Sequence, residues 1–272
     1  MTKDLRDFHR QHEAIRAEFS RQAASWSKDP ISEDLRWAVD RLALDKDDDV
    51  LDVAAGTGLL SRAIAPRVRS VVGIDLTPEM MEHGRQAAER EKLSNVRFEK
   101  GAAEDLPFDP SSFDMVVTRF SVHHFQNPAA VLLEMARVCR SGGRVAVIDL
   151  VAPDDPELAS QYNDIERLRD RTHTRALTVG ELDRLVQKSG IRISGKFLRD
   201  VPNVLEDWLD RTSTPTAARE QIVRDLQAEL DEGPPTGMRP FLQQDRLMFL
   251  HTWSVVVGVK KREAGEVRRQ EA

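Results

Sequence analysis

The 272-residue sequence predicts an α/β protein built on a mostly parallel sheet, and three observations predict it. From Asp49 onward, short apolar runs alternate with stretches of helical periodicity, the pattern of repeated βαβ units. The first run ends in a turn of small residues, Ala54-Ala55-Gly56-Thr57-Gly58, that opens a helix, and the second ends in an acid, Asp75. Hydrophobic residues make up 40% of the chain, enough for a sizeable core, while no run of 18 apolar residues occurs, which excludes a transmembrane helix.

The elements follow in order. Val50-Leu51-Asp52-Val53 reads as the first strand, and Leu59, Leu60 and Ile64 mark the helix after its turn. Val71-Val72-Gly73-Ile74 is the second strand; Thr77 and Pro78 occupy the N-cap and first position of the next helix. Val96-Arg97-Phe98 is a third strand, Phe113 to Val117 a fourth and Arg144 to Ile148 a fifth. Between the last two, Val131, Leu132, Met135, Val138 and Cys139 recur at helical spacing, with Gly142-Gly143 expected to end that helix.

Before Asp49 the chain reads as a helical cap over residues 1–45, with Leu35, Ala38 and Leu42 on one face and Phe19 to Trp26 expected as a lid. After Pro153, helices are expected near 156–170, 178–188 and 216–231, a strand near 192–200, and a last strand from Leu247 to Val259. Residues 261–272 are rich in charge and expected to fray. One domain is expected, with a core over 46–151 and substrate-side elements over 152–260.

Composition narrows the partners. The formal charge of −6, with no basic patch interleaved with aromatics, argues against nucleic acid. Charges interrupt MTKDLRDFHRQHEAIR where an export signal needs apolar residues, so a cytoplasmic protein is expected. Cys139, the one cysteine, can form no internal disulfide, and no histidine or acid spacing suggests a metal.

A turn of small residues between strand and helix lets the backbone approach a ligand at a helix N-terminus. A dinucleotide site would want a further glycine where Ser61 stands, which weakens a nicotinamide-dependent oxidoreductase. Asp75, at the second strand's end, suits the ribose hydroxyls of a nucleoside-containing cofactor.

The runs VLDVAAGTG, VVGIDLTPEMM, GAAEDLPFDPSSFDMVV and VHHFQNPAAVLLEMARVCRSGGRVAVIDLV, in this order and spacing, resemble a class I S-adenosylmethionine-dependent methyltransferase of the ubiquinone/menaquinone-biosynthesis type. The resemblance covers residues 46 to 151. It implies a Rossmann-like, seven-stranded sheet with the last strand antiparallel, helices on both faces, and helical insertions after strands 5 and 6. It implies S-adenosyl-L-methionine as cofactor across the carboxyl ends of the first strands. Asp52, Ala54, Gly56 and Gly58 match the glycine-rich motif beside the methionine moiety, Asp75 the ribose-binding acid, and Leu76 and Met80 the apolar neighbours of adenine. Ala103 and Glu104 match the stretch at the adenine edge; Arg119, Phe120 and Ser121 match the segment beneath the sulfonium. Two positions depart from the pattern: Ala54 stands for a usual glycine and Ala102 for a usual polar residue.

His123 and His124 follow the fourth strand, where a general base for a methyl acceptor would stand. In extended backbone only one of them would face the methyl group. His173, His251 and Asp149 are weaker candidates, and Tyr162, Trp208, Met238, Phe241 and Phe249 are candidates for an apolar acceptor pocket. The expected activity is methyl transfer to an oxygen, carbon or nitrogen of a small apolar metabolite. A non-catalytic binding scaffold is the alternative. The partners expected are that small molecule and a second copy of the chain.

Overall fold

The computed structural model describes residues 31–261 together with Glu13 and residues 16–21, the latter helical. Of the expected lid, residues 22–26 lie outside the described residues, as do 262–272 of the expected tail.

Strands β1 (Asp49–Val53), β2 (Ser70–Asp75), β3 (Val96–Lys100), β4 (Phe113–Arg119) and β5 (Cys139–Val151) are joined by helices α2 (Leu59–Ile64), α3 (Pro78–Arg90) and α4 (Pro128–Val138), with α1 (Glu33–Val39) preceding them. Beyond β5 follow α5 (Pro156–Arg169), α6 (Val179–Lys188), β6 (Ile191–Val204), α7 (Leu205–Arg211), α8 (Thr216–Leu230), β7 (Phe241–Gln243) and β8 (Arg246–Lys260). The sheet runs β3-β2-β1-β4-β5-β8-β6. The first five strands pair in parallel, and β8 lies antiparallel between β5 and β6. This is the expected seven-strand arrangement, to which β7 adds a short eighth strand on β8.

Period-two alternation builds two cores. On one face Val50, Met115, Val117, Ala146, Ile148, Val255 and Val257 pack with Leu35, Ala38 and Leu42 and with Leu60 and Ile64 of α2. On the other, Leu51, Val53, Val116, Val145, Val147 and Val256 pack with Val131, Leu132 and Met135 of α4 and Leu182 and Val186 of α6. Each fully buried Val or Leu contributes about 1.5–3 kcal/mol, so these faces hold the strands in one register. A third cluster, including Tyr162, Trp208, Leu226, Met238 and Phe249, forms beyond the carboxyl end of β5 and supports the inserted helices.

The helix starts are chemically specified. Ser32 caps α1 by accepting from Leu35 N, Asn127 caps α4, Asp155 caps α5, and Thr178 with Glu181 closes a capping box on α6. Thr77 stands at the N-cap of α3, but its side chain makes no capping bond.

Two expectations are corrected. Cys139 is not helical: α4 stops at Val138, and buried Cys139 begins β5. Gly142-Gly143 serves a bulge rather than a helix end. Phe113 pairs with Cys139 while Met115 pairs with Arg144, Gly142 has φ +73°, and a Cβ on Gly143 would lie 2.8 Å from Asp114 O. Helix α7 and strand β7 were not expected from the sequence.

Candidate active site

The carboxyl ends of β1, β2, β4 and β5 open on one cavity of about 450 Å³. Register explains why. Val53 pairs with Ile74 and with Thr118, and Arg119 pairs with Ile148, so the residues following each pair emerge along one edge. That edge is where α/β sheets bind ligands.

The turn after β1 is held from three sides. Ala55 N donates to Ile74 O at 3.0 Å, Gly58 N to Ala55 O at 2.9 Å, and Thr118 Oγ1 to Val53 O at 2.8 Å. Ala54, Gly56 and Gly58 all have left-handed φ, of +55°, +57° and +67°. A Cβ on Gly56 would meet nothing within 4 Å, so this backbone is open to a ligand. A Cβ on Gly58 would lie 2.3 Å from the Phe98 ring. Gly56 thus lines the cavity, whereas Gly58 lets the turn pack on β3.

Asp75 is half-buried at the cavity wall. Its Oδ2 accepts from Gly56 N at 2.7 Å and its Oδ1 from Thr77 N at 2.8 Å. Burial pushes its pKa up against these bonds. Each oxygen keeps a further lone pair for a ligand hydroxyl. Leu76, Met80, Ala103 and Glu104 line the same end of the cavity. Phe120, at φ +53°, stacks edge-on to Trp253 with ring centroids 4.7 Å apart, and the Arg119 guanidinium lies 4.2 Å from the Phe120 centroid. Ser121 Oγ donates to Arg119 O at 3.0 Å.

Asp52, like Gly58, does not line the cavity. It lies 1% exposed behind the turn, where Ser61 Oγ donates to its Oδ2 at 2.6 Å. Burial pushes its pKa up to about 7. The serine that weakened a dinucleotide motif therefore has a partner of its own.

At the other end stand the histidines. Residues Val122–His124 form a single 3-10 turn rather than extended backbone, so both His123 and His124 line the cavity with ring centroids 4.2 Å apart. The expectation that only one would face the methyl group assumed extended backbone, which this segment does not have. His123 Nδ1 lies 2.5 Å from Asp149 Oδ1, and Asp149 also accepts from Val122 N and Leu150 N, each at 2.8 Å. Burial disfavours the His123 cation, but Asp149 outweighs it and lifts the pKa above its ordinary value. For His124, burial and then the charge of His123 pull the pKa down to about 4.

His173 stacks on His123 at 5.4 Å and donates from Nε2 to Asn163 Oδ1 at 2.8 Å; burial holds its pKa at about 3. His251, on β8, lies 2.8 Å through Nε2 from Glu166 Oε1. Burial opposes the Glu166 charge, yet His251 and its neighbours bring this pKa down to about 2. Of the five candidates for an apolar pocket only Trp208 lines the cavity. Tyr162, Met238 and Phe249 are spent in the third core, and Phe241 sits on the β7 hairpin. Asn163, Glu166 and Asp170 belong to no motif in the sequence, although Asn163 and Glu166 fall at helical spacing among Ala159, Tyr162 and Ile165 on the buried face of α5. Phe19 lines the cavity edge-on to His124 at 5.2 Å, and Ser20 Oγ donates to Glu79 Oε2 at 2.9 Å. Among the described residues no cluster of histidine, cysteine or acid is arranged to hold a metal.

This geometry agrees with what the chain is similar to. The methyltransferase-domain family matches residues 51–147. The uncharacterized methyltransferase YcgJ of Bacillus subtilis (strain 168) is 34% identical over 69% of this chain and 74% of its own length. Its crystal structure superposes with a TM-score of 0.74 at 31% identity, over 84% of this chain and 97% of that one. A putative methyltransferase from Bacillus halodurans gives 0.76 at 28% identity, covering 85% and 100%. The C-methyltransferase UbiE of Geobacter sp. (strain M21) is 36% identical over 47% of this chain and 56% of its own. The chain belongs to the class I S-adenosylmethionine-dependent methyltransferases.

Proposed function

We propose that this enzyme binds S-adenosylmethionine at the Asp75 end of the cavity and methylates a small organic molecule held at the His123 end. One observation carries the reading: a single continuous cavity joins Asp75 and the open Gly56 backbone to the His123–Asp149 pair.

When bound, the cofactor supplies a methyl group already activated on a sulfonium sulfur. Asp75 accepts from the ribose hydroxyls, charge-assisted bonds worth about 1.5–3 kcal/mol. Leu76 and Met80 cover one face of the adenine, and Ala103 and Glu104 border its edge. The nonpolar replacement at Ala102 leaves the adenine amino group to Glu104 or to backbone. Ala54, Phe120 and Ser121 border the methionine moiety, while Asp52 and Gly58 support the turn from behind.

At the acceptor end, neutral His123 takes the acceptor's proton at Nε2 and Asp149 steadies the resulting cation. Against burial, the carboxylate beside it raises the proton affinity of this base above that of free imidazole and so holds the transferred proton. His173, kept neutral by burial, adds no repelling charge behind it. Phe19, Phe120, Trp208 and Trp253 wall the cavity and exclude water. Much of the rate then comes from alignment, which can supply about 7–11 kcal/mol. The substrate is a small, largely apolar molecule whose methyl-accepting atom carries an X–H group.

Incubating the protein with S-adenosylmethionine and metabolite extracts tests this. A product heavier by one methylene, formed by wild type and suppressed in His123→Asn, is expected. A product formed equally by that variant removes His123 from the chemistry.

A further inference from the structure

The connection between α5 and α6 is fastened to the histidine turn at three points. Thr174 N and Arg175 N donate to His123 O at 2.8 and 3.1 Å, and Thr174 Oγ1 donates to His124 O at 3.1 Å. This holds Thr172 against His124, with both the carbonyl oxygen and Oγ1 of Thr172 3.1 Å from His124 Nδ1.

Both contacts demand a hydrogen on the same ring nitrogen. A carbonyl oxygen only accepts. The Thr172 hydroxyl has its hydrogen committed to Asp170 Oδ1 at 2.6 Å, where Thr172 N also donates at 2.8 Å, so toward His124 it too accepts. Neutral His124 therefore carries its one hydrogen on Nδ1 and leaves Nε2 bare. His123 is fixed in the same sense, since the Asp149 carboxylate at its Nδ1 only accepts. Among the described residues nothing bonds the Nε2 of either ring, and both rings line the cavity. The charged and titratable groups around the pair are Asp149 from β5, Glu166 and Arg169 from α5, and Asp170 and His173 from the connection. Two rings this close take up one further proton at most, and Asp149 directs the one drawn from the acceptor to His123.

We propose that Thr172 and Asp170 are positioning residues that lock His124 as its Nδ1–H tautomer, and that the two bare Nε2 atoms recognise a methyl acceptor presenting two hydrogen-bond-donating hydrogens. One hydrogen leaves as a proton to His123 Nε2 as the acceptor gains its methyl group. The other stays on the acceptor and is held by His124 Nε2. The donors sit on two neighbouring oxygens, as in a vicinal diol, or on one nitrogen, as in a primary amine. The recognition half rests on the proposed reaction; the tautomer lock does not.

Long-range proton–nitrogen spectra of the uniformly labelled full-length chain at neutral pH test both halves without turnover. The resonances that disappear in His124→Asn should show a protonated Nδ1 and a bare Nε2. Thr172→Val, which leaves only the carbonyl contact, should move them part of the way toward the average of the two tautomers, and Thr172→Ser should restore them. An Nε2–H tautomer in wild type overturns the lock, and no response to Thr172→Val overturns the part given to the Thr172 hydroxyl and Asp170. Catechol or aniline, and not anisole, should then shift the Nε2 signals of both His123 and His124. Whichever does so identifies oxygen or nitrogen as the donor atom. An equal response to anisole, or none to either donor, overturns the recognition. A failure of the methyltransferase reading would appear elsewhere, as absent cofactor binding with the tautomer intact.

Discussion

His123 Nδ1 and Asp149 Oδ1 lie 2.5 Å apart in a site where both side chains are nearly dry, with exposures of 9% and 3%. Asp149 reaches this position because β5 runs past its pairing with Arg119, and its carboxylate also accepts from the two backbone amides Val122 N and Leu150 N. The acid therefore fixes the turn that carries the base as well as the ring. Asp149→Asn should lower kcat by about a hundredfold to ten-thousandfold, the range of a lost general base. KM should change little. Steady-state kinetics on the product found in the extract screen measures this, and an unchanged kcat would make the pair structural only.

The neutral histidines give the fold an acid weakness. His173 has a pKa of about 3 in the folded protein against 6.5 when exposed, so below pH 6.5 the unfolded chain binds a proton that the folded chain refuses. Stability should fall by up to about 1.4 kcal/mol per pH unit below 6.5 from this residue. Half-buried His124, at about 4, adds a smaller loss. His123 acts in the other direction: its raised pKa contributes stability below pH 6.5 that disappears as pH rises through the folded value. Urea titrations from pH 7 to pH 4.5 should show His173→Gln, which keeps a donor for Asn163, with the shallower acid slope. Equal slopes would contradict the assignment.

Ala54 occupies a left-handed position, φ +55°, that glycine takes without strain. A side chain there costs about 1–2 kcal/mol, and glycine's looser unfolded chain returns part of it. Ala54→Gly should therefore raise unfolding free energy by up to about 1 kcal/mol with no change in denaturant slope. A loss of stability would mean that the alanine methyl is packed productively.

Gly58 separates a packing role from a binding role. At φ +67°, with a would-be Cβ 2.3 Å from the Phe98 ring, Gly58→Ala should destabilise the protein by about 1–3 kcal/mol. Phe98→Leu, by removing the far edge of the ring, should recover part of that cost in the double variant. Additive losses in the thermal melts would show that the clash is not with Phe98.

Much of this was legible in the sequence because the sheet is buried on both faces. Val50 to Val53, Val71 to Ile74 and Arg144 to Ile148 can be read as strands since few other structures hide such runs, and the turn at Gly56 and the Thr77-Pro78 pair mark where helices begin. What stayed hidden depends on tertiary placement. Helix α7 has no side-chain cap, and β7 turns into β8 through Gln244 and Asp245, at φ +50° and +59°, without the Asn-Gly signature such a turn favours. The histidine site was half legible. His123 and His124 could be placed by their position after β4. Thr172 and Asp170 could not, because only the fold brings the α5–α6 connection onto the histidine turn.

The central claim is that one cavity holds S-adenosylmethionine by way of Asp75. Isothermal titration of the purified chain with S-adenosylmethionine, beside Asp75→Ala and a parallel titration with NAD, tests it most directly. Saturable one-to-one binding is expected for wild type, weakened by about 1.5–3 kcal/mol in the variant, with no heat from NAD. Absent binding of S-adenosylmethionine, an unaffected Asp75→Ala, or tight binding of NAD would contradict it.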